Sequence, residues 1–149
     1  MKKCILMAFA LAHSFSALAQ DKAIKWLTFD EASELAAKEP KMILVKVYTD
    51  WCGWCKKMDK ETFMDSEVIN YVNGTFYPVK LNAEENKRKY KFRGREFTDA
   101  TMARTMRVNS YPNFVIMDAA MENITLLPGY REPQAFLTSM NALLEKFNP

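Results

Sequence analysis

The chain has 149 residues, 49% of them apolar and 26% charged, with 21 Lys plus Arg against 18 Asp plus Glu. These values suit one globular domain and exclude a disordered, collagen-like or polytopic membrane chain. Without Lys2 and Lys3, which fall in the first 19 residues, the remaining 130 carry 19 basic and 18 acidic side chains, a balance that gives no general electrostatic reason to expect nucleic acid as a partner.

In chain order, the first element reads as an export signal. Lys2 and Lys3 make a basic start, an apolar run extends from Ile5 to Leu18, and Ala17-Leu18-Ala19 puts small residues where a signal peptidase cuts. Cleavage is expected before Gln20, which divides the chain into a signal peptide over residues 1–19 and one domain over residues 20–149. The apolar run is shorter than the roughly 20 residues of a membrane-spanning helix, and His13, Ser14 and Ser16 interrupt it. The mature protein is therefore expected to be exported, periplasmic or secreted, where disulfides form.

Ile24 to Leu27 reads as a short edge strand, and Thr28 with Glu31 forms a capping box for a helix through about Lys38, ending before Pro40. Met42 to Tyr48 is apolar apart from Lys46 and rich in branched residues, the pattern of a central strand covered on both faces. Thr49 and Asp50 make its exit turn. Cys52 opens a helix to about Phe63, and Asp65 or Ser66 starts another that stops at Gly74. Phe76 to Leu81 is a strand parallel to the first, because a helical crossover separates them. The stretch from Ala83 to Phe97 carries Lys87, Arg88, Lys89, Lys91, Arg93 and Arg95, flanked by Glu84, Glu85 and Glu96, and reads as a solvated loop or frayed helix. Thr98 caps a helix from Asp99 to about Arg107, Asn113–Met117 and Ile124–Leu127 form an antiparallel hairpin, and Pro133 opens a closing helix with an apolar stripe from Phe136 to Phe147. The order predicts an α/β, three-layer fold with a central mixed four- to five-stranded sheet and helices on both faces.

Cysteine arithmetic narrows the chemistry. Of Cys4, Cys52 and Cys55, the first leaves with the signal, as does His13, the one histidine. Two thiols without histidine cannot build a structural zinc site of about four ligands. Lys56 stands where c-type haem attachment needs a histidine, and no Cys–His nucleophile can form. No metal and no cofactor is expected. What survives is a dithiol that cycles with a disulfide, or an inert structural bridge. Cysteines at i and i+3 of a helix share a face and meet the roughly 4.4–6.8 Å Cα separation of an unstrained disulfide. At the helix start the Cys52 sulfur faces unpaired N–H groups and the positive end of the macrodipole, which favour thiolate, whereas Cys55 lies one turn inside and is less exposed. Cys52 is thus the candidate nucleophile and Cys55 the resolving thiol. Gly53 either keeps the turn bare for an approaching substrate or relieves the backbone. Trp51 and Trp54 either rim the site or pack in the core.

Trp51-Cys52-Gly53-Trp54-Cys55-Lys56, after an apolar strand and opening a helix, with Tyr111-Pro112 before a later apolar strand, resembles the thioredoxin superfamily. The phrase K-K-M-D-K-E-T-F from Lys56 to Phe63, with Val79-Lys80-Leu81-Asn82, is similar to exported single-domain thioredoxin-related proteins of bacteria. The resemblance covers nearly the whole mature chain. It implies a thioredoxin-like fold and thiol–disulfide exchange on protein substrates by catalytic Cys52 and Cys55. It points to a reductase rather than an oxidant or isomerase, kept reduced by a membrane electron donor of thiol-reductant type and acting as a monomer. It also implies that Pro112 is cis beside the dithiol and that Tyr111 offers its backbone to substrate, with Trp51, Gly53 and Trp54 completing the substrate-binding set.

One position departs from the family. In thioredoxin a buried Asp six residues before the nucleophile assists proton transfer to the resolving thiol; here Lys46 stands there, and Lys80 matches the lysine that neighbours that Asp. Lys46, Asp50 and Lys80 are therefore candidates for tuning the thiols. Lys46 is expected to send its ammonium outward with its stem along apolar surface, leaving two ammonium groups, no carboxylate, and Asp50 or solvent as the replacement proton partner. A different class of reading keeps Cys52–Cys55 as a permanent bridge in a peptide-binding module. Nucleic-acid binding through Lys87 to Arg95 is not expected, because only Tyr90 and Phe92 offer a stacking platform.

Overall fold

Strand β1, Met42–Tyr48, is the centre of the molecule. The structure is a computed structural model and describes residues 21–147, so the export signal, its cleavage point, Cys4 and His13 lie outside the described residues. Strand β2, Phe76–Asn82, pairs parallel to β1 from Met42 opposite Phe76 to Tyr48 opposite Asn82. On the other side β5, Asn113–Met117, runs antiparallel to β1, and β6, Ile124–Pro128, antiparallel to β5. The sheet order is β2-β1-β5-β6.

Strand side chains alternate between faces, and the two faces have separate cores. Ile43, Val45, Val47, Val115 and Met117 point to one, covered by α1 (Phe29–Lys38), α4 (Asp99–Thr105) and a small hairpin. Leu44, Phe114 and Ile116 point to the other, covered by α2 (Gly53–Lys60), α3 (Ser66–Thr75) and α5 (Pro133–Leu144). Phe63, Phe114 and Phe136 lock this second core edge to face, at centroid separations of 5.4–5.8 Å.

Local signals place the helices. The Thr28 amide and hydroxyl both donate to Glu31 Oε2, at 2.8 and 2.7 Å. These bonds hold the Glu31 carboxyl below its usual range. Asp65 accepts from the amides of Glu67 and Val68 at the start of α3. That helix runs through Gly74 to Thr75 rather than stopping at the glycine. Helix α2 ends earlier than expected, and Thr62–Met64 form a 3-10 turn whose Thr62 hydroxyl donates to Arg131 O at 2.6 Å. Helix α4 stops short of Arg107, which takes a left-handed φ of 60°.

Two expectations are corrected. Ile24–Leu27 is not a strand: Leu27 alone bridges to Val79, its amide donating to Pro78 O and its carbonyl accepting from Lys80 N. The 83–97 segment is not simply a solvated loop. It folds β3 (Tyr90–Phe92) back on β4 (Arg95–Phe97) through Arg93-Gly94, whose φ values of 51° and 74° suit a two-residue hairpin turn. Tyr90 and Phe97 are buried, and Tyr90 and Phe92 pack on Phe29 at 5.9 and 5.2 Å. The cations stay outside, Arg88 paired with Asp30 and Lys89 with Glu96.

Candidate active site

The exit from β1 sets the site. Thr49 O accepts the Cys52 amide at 3.2 Å, and Cys52 becomes the N-cap of α2 with extended backbone. The Cys55 amide donates to Cys52 Sγ at 3.1 Å, so a backbone N–H aims at the sulfur, as expected at a helix mouth. Cys52 and Cys55 are joined by a disulfide with Cα atoms 5.3 Å apart. Both are buried, at 4% and 2% exposure, a smaller difference between them than their helix positions suggest.

Aromatic side chains frame the outer side. Trp51 and Trp54 are 67% and 58% exposed, which places them on the rim rather than in the core. Trp51 donates its indole N–H to Glu84 Oε1 at 2.9 Å and meets Tyr111 edge to face at 5.9 Å. Trp54 packs on Tyr130 at 5.3 Å, with the Lys57 ammonium over both rings. The Tyr130 hydroxyl donates to Glu61 Oε2 at 2.6 Å, which pushes its pKa up to about 12. The Tyr111–Pro112 peptide is cis, and Pro112 O accepts the amide of Gly129 at 2.8 Å. Gly129 has a φ of 92°, which favours glycine there. Trp54, Tyr111, Pro112, Gly129 and Tyr130 line an open groove of about 290 Å³. Above Gly53, on the outer surface, a Cβ would meet nothing within 4 Å.

The inner side is charged, and here the expectation for Lys46 is corrected. Lys46 is fully buried, because alternation puts it with Leu44 and Phe114 on the helix-covered face, where no outward route exists. Its ammonium lies 5.1 Å from the Phe63 ring centroid, 5.7 Å from that of Tyr48 and 5.8 Å from that of Trp26. It donates to Asp59 Oδ1 on α2. Burial pulls Lys46 below the ordinary lysine range, opposed by the bond to Asp59. Lys80 Nζ stands 3.6 Å from Asp59 Oδ2 and 4.9 Å from the Tyr48 ring. A carboxylate therefore does sit between the two lysines. Asp50 is elsewhere, at the turn, accepting from Asn82 Nδ2 at 3.3 Å.

The structure thus brings Trp51, next to Cys52, onto Tyr111 and sets Trp54, between Gly53 and Cys55, along one groove with Tyr111 and Pro112, while Lys46 and Lys80 meet at Asp59 on α2. Sequence reasoning missed Asp59, Tyr130, Glu61 and Glu84. Only Asp59 carried a legible signal, its position four residues after Cys55 on the same helix face. Among the described residues no group of three or more His, Cys, Asp or Glu is placed to hold a metal.

A dithiol at a strand-to-helix turn, beside a cis-proline on a mixed four-stranded sheet, defines the thioredoxin-like class. The chain belongs to the thioredoxin-like domain family, which matches residues 29–144. A thiol:disulfide interchange protein, DsbD, of Pectobacterium atrosepticum is 25% identical over 116 residues, 76% of this chain and 18% of that protein. The chain therefore spans about a fifth of that relative's length. Among solved structures, a DsbH oxidoreductase superposes with a TM-score of 0.67 at 15% identity, covering 97% of this chain and 95% of that one. A thioredoxin from Thermus thermophilus gives 0.65 at 21% identity, over 82% and 88%. At these identities the two structures speak for the fold.

Proposed function

We propose that the protein is a thiol–disulfide oxidoreductase of the cell envelope that reduces disulfides in protein substrates. The observation that carries this reading is the Cys52–Cys55 pair at the mouth of α2, with the Cys55 amide on Cys52 Sγ, beside the groove under Tyr111-Pro112. In the reduced protein Cys52 attacks the substrate disulfide, the substrate's first sulfur leaves as thiolate, and Cys55 then displaces the second by closing the internal disulfide. Helix-end N–H groups stabilise the attacking thiolate. The groove receives the substrate chain: Trp51, Trp54 and Tyr111 supply apolar contact, Gly53 leaves the approach open, and the Tyr111 backbone pairs with an added strand, held in place by Pro112, whose own carbonyl is taken by the Gly129 amide.

In this reading residues 1–19 are an export signal, and the mature domain works in the periplasm or outside the cell. There a membrane electron donor of thiol-reductant type returns the pair to the dithiol, and the protein works as a monomer. Similarity to a thiol:disulfide interchange protein supports the chemistry. The burial of both cysteines favours one competing reading, a permanent bridge in a peptide-binding module.

Turnover of insulin disulfides with dithiothreitol decides between them. The oxidoreductase accelerates precipitation, loses that with Cys52→Ser while staying folded, and accumulates mixed disulfides with envelope proteins as Cys55→Ser. A Cys52→Ser protein that unfolds, with a wild type that catalyses nothing, identifies a structural bridge. Direction is read from the potential: a value near the roughly −270 mV reducing end supports the reductase, and one near −120 mV an oxidant.

A further inference from the structure

Charge is divided unevenly along the chain. Residues 87–107 carry eight basic and two acidic side chains, a net charge of +6, whereas the rest of residues 20–149 carries 11 basic and 16 acidic ones, a net charge of −5. The near balance of the whole hides this polarity. We propose that the β3–β4 hairpin and the C-terminal end of α4 form a docking surface for a membrane that carries anionic phospholipid. The inference goes beyond the thiol–disulfide reading and does not depend on it.

Two of the eight cations are paired within the fold, Arg88 with Asp30 and Lys89 with Glu96. Lys87, Lys91, Arg93, Arg95, Arg104 and Arg107 are exposed and, among the described residues, form no salt bridge. Glu84 and Glu85, which precede the segment, accept from the Trp51 indole and the Lys87 amide, and Asp99 is half-buried at the start of α4. Aromatic packing orients the hairpin arginines: the guanidinium carbons of Arg93 and Arg95 lie 5.3 Å from the ring centroids of Phe92 and Phe97 respectively. A guanidinium stacked in this way keeps its planar fork of N–H donors at the edge, the shape that takes two oxygens of a phosphodiester. Arg93 gives one N–H to Ala120 O at 2.7 Å and retains the others. The helix end continues the surface. Phe92 and Arg93 line one cavity of about 220 Å³ with Met102, Thr105 and Met106 of α4 and its cap, and Arg104 and Arg107 flank that last pair in the chain. Glu122 borders the same cavity and offsets one charge.

An extended anionic plane attracts this face and repels the remainder, so the negative remainder fixes the orientation of the molecule as the positive segment fixes its attraction. A small anion gains little from that polarity. The cavity beside Arg93 offers it no polar seat either, being lined mainly by Phe29, Phe92 and four methionines. Long, flexible lysine and arginine side chains match headgroups that diffuse in the plane, and each is worth about fivefold in affinity near an anionic surface. No helix among the described residues is long and apolar enough to cross a membrane, so association through this face is peripheral and is screened by salt.

Flotation of the purified protein with lipid vesicles tests this. With equal parts phosphatidylglycerol and phosphatidylcholine the protein floats at low salt; at high salt, or with phosphatidylcholine alone, it does not. Arg93→Gln combined with Arg95→Gln weakens binding about 25-fold, and so does Lys87→Gln combined with Lys91→Gln. The lysine pair stacks on no ring, so it reads the charge even where the arginine pair disturbs the hairpin. Lys22→Gln combined with Lys60→Gln, which removes two exposed cations from other parts of the surface, leaves binding unchanged. Absence of flotation, an equal loss with Lys22 and Lys60, or flotation that persists with phosphatidylcholine alone overturns the proposal, the last because it marks apolar insertion. Vesicles that fail where polyglutamate or a single-stranded oligonucleotide binds with the same variant pattern also overturn it and make the occupant an acidic polymer. Cys52→Ser floats like the wild type. A protein that floats without turning over insulin therefore contradicts the oxidoreductase reading alone, and one that turns over insulin without floating contradicts this surface alone.

Discussion

The two sides of the Cys52–Cys55 disulfide are built from opposite materials. Outside, the exposed Trp51 and Trp54 pair with the half-buried Tyr111 and Tyr130, and Trp51 is bonded to Glu84 and Tyr130 to Glu61. Inside, Lys46, Asp59 and Lys80 form a charge cluster roofed by rings. Exposed apolar surface contributes when a partner covers it, whereas a buried charge contributes only while its partner is present. The difference ties stability to the inner side and, under the proposed function, contact with a partner chain to the outer one.

Substitutions on the inner side should therefore change stability and those on the outer side should not. Asp59→Asn leaves the Lys46 ammonium buried without its counter-charge, and denaturant unfolding should show a loss of about 3 kcal/mol. Lys46→Met keeps an apolar side chain of similar length in the ring cage and leaves Asp59 with Lys80, so its cost should stay under about 1.5 kcal/mol. Equal costs for the two would break the contrast.

Trp54→Ala tests the outer side. Its stability should stay within about 0.5 kcal/mol of wild type, while kcat/KM for a polypeptide disulfide falls about tenfold and that for a small dialkyl disulfide is unchanged. A loss shared by both substrates would mean that the indole serves the dithiol itself.

The smallest effect is spectroscopic. The bond to Glu61 raises the Tyr130 phenol to about 12, above the ordinary 10.0, so the folded protein holds this proton more tightly than the unfolded chain. The associated stability is complete below pH 10 and is lost as pH rises through about 12. Ultraviolet titration of Glu61→Gln should bring one phenol back toward 10.

Much of this arrangement was legible from local pattern. The branched run Met42–Tyr48, the Thr28–Glu31 box and the Asp65 cap each carry their cause within a few residues, whereas the cis Tyr111–Pro112 bond was expected from the family resemblance. Lys46 was misread because a strand covered on both faces offers a lysine no outward direction. Its partner Asp59 lies 13 residues away on another element. The 83–97 hairpin was misread because its strands have three residues each, too short for a period-two pattern. Its inward residues Tyr90 and Phe97 are paired across the turn, among charges that dominate the composition. The clasp of Tyr130 on Trp54 and Glu61 joins positions about 70 apart, and no local rule connects them.

The central claim is that the mouth of α2 makes Cys52 a reactive thiolate. Thiolate absorbance of the reduced Cys55→Ser protein, followed against pH, measures this without a substrate. Titration of Cys52 well below the roughly 8.5 of free cysteine, with alkylation rates following the same curve, is the expected result. A thiol that titrates at about 8.5 or above, and alkylates no faster than a small-molecule thiol, would contradict it.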